Sequence, residues 1–247
     1  MADRLEPLLP PDELFDYRQG SEDGVPFWLP YSQGDVFDQV VMPGIGNNEP
    51  GLAMLFMHPC TMREGARLRE AVTSVRVTFH DSRVLPKPGT WANRNKLMPL
   101  PDLFGSGEGT YVADFMLLGT VPSTSLERAR RVSQLSAEGR LILQQRLIFH
   151  LTRHAPSVDV LQEASHGLEL ELQAQTDWME EAFKRSLLRS PEDVEQQEVA
   201  FDDYMGQPMD STDSDAEVRP VSRRALLAHA REAPTVVRDV QRKIKTL

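Results

Sequence analysis

Residues 52–57, Leu-Ala-Met-Leu-Phe-Met, form an apolar run of strand length that stops at His58-Pro59. A short continuous run of this kind, ended by a proline, predicts a buried central strand. It is preceded by Ser32-Gln33-Gly34-Asp35-Val36-Phe37, which reads as a tight turn feeding another strand. Gly34 supplies the turn because glycine takes positive φ without a Cβ clash. A chain built on two such strands must bring others beside them. The end of the 52–57 strand, with His58 and Cys60, is where a surface site is expected.

The charge balance narrows the partners. With 27 basic and 37 acidic residues the formal net charge is −10, the sign opposite to that of a general nucleic-acid binder. A single cysteine leaves no internal disulfide, so nothing points to an oxidising compartment. The first residues lack a basic and then apolar leader, and no run of about 18 apolar residues exists, so neither a signal peptide nor a membrane span is expected. The expected location is cytoplasmic, with no membrane partner, no metal and no cofactor.

Taken in order, residues 1–26 read as an extended leader, punctuated by Pro7, Pro10, Pro11 and Pro26, with Leu5, Leu8, Leu9, Leu14 and Phe15 able to lie on a domain. Residues 27–121 read as mostly β, with strands expected at 27–29, 36–42, 52–57, 72–79 and 111–118. Residues 73–79 alternate most clearly: Val75, Val77 and Phe79 on one face, Ser74, Arg76 and Thr78 on the other. Val36, Leu52, Met54, Phe56, Val75, Val77, Val112 and Phe115 are the expected core. Residues 86–109, rich in Gly, Pro and Asn, read as a long loop carrying Trp91, Arg94, Lys96 and Met98. Residues 63–71 are basic and helix-compatible.

Residues 122–189 are expected to be a helical extension. Thr124-Ser125-Leu126-Glu127 fits a capping box, and Ser136-Ala137-Glu138-Gly139 fits a second helix start. Leu143, Leu147 and Leu151 then recur on one face. His150 and His154 are four apart, but no third metal ligand accompanies them. A third helix over 157–189, with Asp159 as its cap, would span roughly 45 Å at the helical rise per residue. From Glu192 to Glu217 the chain carries ten acids and no base, and residues 218–247 then reverse the sign. Such blocks read as a flexible interaction tail over 190–247.

Several residues are candidates for chemistry. His58 has the side chain of a general base near neutral pH, and Cys60 that of a nucleophile. His80, Asp81 and Arg83 make a second polar cluster, at the end of the strand that carries Arg76. Arg63, Arg67, Arg69, Arg94 and Lys96, with Arg76, are the candidate phosphate contacts.

Gly34-Asp35-Val36-Phe37, followed by the buried strand ending at His58, resembles the start of the MazF/PemK-type toxins, Kid among them. The likeness continues through residues 72–78, Val112-Ala113-Asp114, Thr120-Val121 and the stretch 126–147, where Arg131-Val132-Ser133-Gln134-Leu135-Ser136 is similar to the family's helix, Leu-Ser, helix ending. It covers about residues 32–153. The resemblance implies an α+β fold, a small SH3-like antiparallel β-barrel over 27–121 followed by a C-terminal helical region and a charged tail. It also implies dimers that cleave RNA between barrel loops, with an arginine just before the Thr-Val of the last strand. Here that residue is Gly119, and His58 replaces the family's Ser or Thr at the end of the buried strand. The expectation is therefore a toxin-like or mobile-element barrel that binds a macromolecule without efficient catalysis. The partner would be a protein or a second copy, held through residues 159–189 and 190–247, with RNA as the other candidate. The alternatives are a metal-independent endoribonuclease using His58 or His80, and a structural or assembly protein of a larger complex.

Overall fold

The computed structural model describes residues 5–21, 24–80, 96–106, 110–206 and 233–246. The chain folds as two compact units. The first comprises residues 1–27, 32–62 and 68–163, and the second comprises 28–31, 63–67 and 164–247.

The first unit is built on a seven-stranded antiparallel sheet. Its strands are β1 (Phe15–Arg18), β2 (Val36–Val41), β3 (Pro50–Leu55), β6 (Ala71–His80), β7 (Leu97–Pro101), β8 (Thr110–Pro122) and β9 (Arg131–Leu135). They lie in the order β1-β9-β2-β3-β6-β8-β7, so the sheet is open, with β1 and β7 at its edges. The apolar run at 52–57 is the predicted central strand: β3 pairs with β2 on one side and β6 on the other. Pro99 and Pro101 sit in edge strand β7, where a missing amide costs least.

A helical turn, α1 (Pro11–Leu14), precedes β1, and α3 (Ala137–Thr152) follows β9. The expected start of α3 at Ser136 holds: its hydroxyl oxygen accepts from the Gly139 amide at 3.0 Å and the hydroxyl donates to the Glu13 carbonyl at 2.6 Å. Ile142, Leu143 and Leu147 enter one core with Leu14, Val36, Met54, Val75, Val77, Phe115 and Leu135. Leu52 and Phe56 pack against that core as expected, while Val112 is buried outside it. Leu5 is buried and Leu8 and Leu9 pack on the same core, so the leader's leucines serve as an arm on the domain.

Several expectations are corrected. Residues 27–29 form a turn. Residues 63–68 are not helical; they form a two-stranded ribbon, β4 (Arg63–Glu64) with β5 (Arg67–Leu68), turned at Gly65. Thr124 makes no helix cap, and 131–135, read as helical, is a strand buried along its whole length between β1 and β2. Strand β6 is buried on both faces through Ser74–Val77, its pairing with β8 is irregular between Val75 and Val77, and Phe79 near its end is exposed. Leu151 is also exposed, past the part of α3 that meets the core. Part of the long 86–109 loop is β7, with Met98 buried; Trp91 lies outside the described residues.

The second unit is helical. Helix α4 (Val158–Lys184) begins just before the expected Asp159, and Leu172, Met179 and Ala182 are buried along it. The acidic block was expected to be flexible, yet residues 191–206 form α5 (Pro191–Gly206), which buries Val194, Phe201 and Met205. The Trp178 ring packs on Phe201 and Tyr204 at 5.7 Å each and donates its indole N–H to Gln197. A last helix, α6 (Ala233–Ile244), buries Val240 and Ile244. Residues 207–232 lie outside the described residues.

Candidate functional site

The end of β3 is pinned from two sides. The Phe56 amide donates to the Thr73 carbonyl at 3.2 Å, and the Thr73 amide donates to the Met57 sulfur at 3.2 Å. Gln33 donates to the Phe56 carbonyl at 2.9 Å and is itself held by Gln144 from α3 at 3.2 Å. The chain then enters a single helical turn, α2 (Pro59–Met62). Proline suits its first position because the missing amide has no partner there in any case. The His58 carbonyl accepts from the Thr61 and Met62 amides at 2.8 and 3.1 Å, which closes the turn.

That turn brings two candidate residues together. His58 Nδ1 lies 2.9 Å from Cys60 Sγ, and Thr61 Oγ1 lies 3.7 Å from the same sulfur. Strand alternation does not make this contact; the helical turn after Pro59 does. Cys60 is exposed and His58 half-buried. An imidazole in contact with a thiol can take its proton as the sulfur attacks.

The other candidates are dispersed. His80 is at the far end of β6, paired across to Thr110, while Asp81 and Arg94 lie outside the described residues. Arg76 is buried; its guanidinium donates to the carbonyls of Val40 and Glu49 at 3.4 and 3.1 Å, so it holds the β2–β3 hairpin. Burial lowers its pKa below the usual arginine value. Arg63 is corrected from a phosphate contact to a structural residue of the second unit, donating to the Gly65 carbonyl and to Gln175 Oε1. Arg67 and Lys96 are exposed, as is Arg69; Arg67 belongs to the second unit and the other two to the first. His150 stacks edge-on with Phe115, and among the described residues no group of three or more His, Cys, Asp or Glu is placed to hold a metal.

Gly34-Asp35 is a fold element. Gly34 takes φ 89°, and its amide and the Asp35 carbonyl bond Leu55, extending the ladder. A Cβ at Gly34 would overlap the Leu135 side chain. The Asp35 carboxylate accepts from the Ser32 amide at 3.0 Å and from Gln134 at 3.3 Å, and it faces Arg131 at 3.5 Å, both ionic side chains being fully buried. The Arg131 guanidinium also lies over the Phe37 ring at 5.6 Å. Burial raises the Asp35 pKa above its ordinary value, outweighing the pull of Arg131, Ser32, Gln134 and Arg140. The 3.5 Å separation is long for an ion pair and does not offset full desolvation. The sequence carried no signal for Gln33, Arg131, Gln134 and Gln144 as partners, because they are separated by about a hundred residues and are polar where burial was not expected.

At position 119 the sheet is tightly packed. A Cβ there would come within 3.1 Å of Ile45 Cδ1 and 3.2 Å of Met42 Cε. Neither a protein-family model nor a curated protein sequence matches the chain.

Proposed function

We propose that this chain is a MazF/PemK-like protein of the SH3-like barrel type, from a toxin or mobile-element setting, that acts by binding a macromolecular partner and does not cleave RNA efficiently. The observation that carries this reading is Gly119. The arginine of the family would stand there, and Met42 and Ile45 already occupy the space beside it. A guanidinium on the strand beside it, that of Arg76, is committed to two backbone carbonyls. What the sheet offers instead is apolar surface on β6 and β8, with Phe79, Met116 and Leu118 exposed. A net charge of −10 favours a protein partner over RNA. Size-exclusion chromatography with light scattering, run with and without single-stranded RNA, tests the reading. The expected result is no RNA co-elution and no metal-independent cleavage. Stable co-elution with RNA would overturn the protein-partner assignment.

A second reading is favoured by one contact. His58 beside Cys60 at 2.9 Å supplies an acid–base group at the strand end where the family has Ser or Thr. RNA cleavage that disappears on His58→Ala would establish it and displace the first reading.

A further inference from the structure

We propose that the second unit pairs with a second copy of this chain. The acidic outer face of α5 in one copy lies against the basic outer face of α6 in the other, and the contact repeats about a two-fold axis. Both helices are anchored on the last turns of α4. The Trp178 ring rests on Phe201 and Tyr204 of α5 at 5.7 Å, and Arg185 donates to the Lys245 carbonyl at the end of α6 at 3.1 Å. Each helix turns an apolar side inward, with Val194, Phe201 and Met205 buried on α5 and Val240 and Ile244 on α6. On α5, Glu192, Glu195, Val199 and Asp203 are exposed and recur at three- and four-residue spacing, the spacing of one helix face. On α6, Arg238 and Arg242, with Lys245 just past its end, are exposed at the same spacing.

The two faces are opposite in sign, and one unit carries both. A partner that matches both must present a basic helix and an acidic helix together, as a second copy of this unit does. Turned through half a circle, that copy sets its α6 along α5 and its α5 along α6, so a closed pair satisfies both faces. The acidic stripe from 192 to 203 rises about 16 Å and the basic stripe from 238 to 245 about 10 Å, so the second fits within the first. Val199, between Glu195 and Asp203, offers an apolar seat for the stems of the arginine and lysine side chains. Helices of 16 and 12 residues are about 24 and 18 Å long and about 10 Å across, which gives roughly 400 Å² per copy, half of a standard interface. The pair is therefore weak, with its choice of partner set by charge. The surface belongs to the second unit alone and does not depend on what the sheet of the first unit binds.

Sedimentation velocity of the full-length chain at physiological salt, from about 1 to 100 μM, tests this. The parent should pass from monomer to dimer in the upper part of that range and go no further. Arg242→Glu with Lys245→Glu, and separately Glu195→Lys with Asp203→Lys, should each weaken pairing by about tenfold or more. Mixed in equal amounts, the two reversed chains should form a heterodimer, since each then presents the sign that the other lacks. A parent that stays monomeric throughout, growth past the dimer, or a mixture of reversed chains that stays monomeric would overturn the proposal. So would a dimer that neither reversal weakens; loss of that dimer on Met116→Asp would place the contact on the sheet of the first unit instead. Should a double reversal fail to fold, Lys245→Glu and Glu195→Lys, single changes at exposed positions, carry the same mixing test.

Discussion

Asp35 shows how one side chain can be legible in the sequence and still be misjudged. The Gly-Asp pair was recognisable as a turn feeding a strand, and it is one, but the carboxyl is entirely enclosed. Its folded-state pKa is raised, so the folded chain keeps a proton at pH values where the unfolded chain, with an ordinary value of 3.8, has released it. The proton-linked contribution to stability is therefore complete below about pH 4 and is lost as the pH rises through the folded value. Asp35→Asn cannot titrate. The unfolding free energy of the parent minus that of Asp35→Asn, from urea melts between about pH 4 and 7, should fall as the pH increases. A difference that rises with pH would mean that the pair with Arg131 favours the carboxylate after all. His58 is the opposite case: residue type and strand-end position were visible in the sequence, and the turn that sets its distance to Cys60 was not.

Among the elements, α3 depends most visibly on one cap. Ser136 both receives the Gly139 amide and donates to the Glu13 carbonyl, so it joins the helix start to the end of α1. Ser136→Ala should lower the stability of the first unit by about 1–2 kcal/mol, read from urea unfolding. An unchanged midpoint would show that water replaces both bonds. This cap was legible because capping is local: serine, then a helix-compatible run. The four longer strands were legible for a similar reason, since apolar runs and alternation at 36–41, 50–55, 71–80 and 110–122 are properties of the segment itself. Strand β9 was not. Arg131-Val132-Ser133-Gln134-Leu135 has no alternation because both its faces are buried, and its arginine and glutamine face distant Asp35. A capping-box pattern at Thr124 then competed for the same stretch, and tertiary pairing with β1 and β2 overrode it. Edge strands β1 and β7 escaped notice because they are short and, in β7, interrupted by proline.

At the scale of the whole molecule, composition misled where charge and burial diverge. Ten acids without a base suggested a segment unable to pack, yet 191–206 forms a helix that buries Val194, Phe201 and Met205 and leaves most of its carboxylates outside. The second unit is gathered from three separated pieces of chain, which a linear division at residue 190 cuts through. Val194, Phe201 and Met205 of α5 and Val240 and Ile244 of α6 are all buried in this unit. Ending the chain at Ser190 removes these five buried apolar side chains of the described residues. It also strips Trp178 of both its aromatic neighbours on α5 and of its hydrogen bond to Gln197. At about 1.5–3 kcal/mol for each such side chain, the loss is comparable to the whole stability of a small domain. The truncated chain should therefore lose the fold of the second unit. In a Trp91→Phe background, Trp28 and Trp178 are the two tryptophans left, and both lie in that unit. Their emission should shift to the red and become open to acrylamide quenching, while the antiparallel-sheet signal of the first unit persists in the infrared. Phe201→Ala in the full chain should move the same tryptophan-detected melt by about 3–5 kcal/mol without abolishing it. Blue, protected emission in the truncated chain would show that α4 and the Trp28 segment hold Trp178 by themselves, and that α5 and α6 are accessory to the fold.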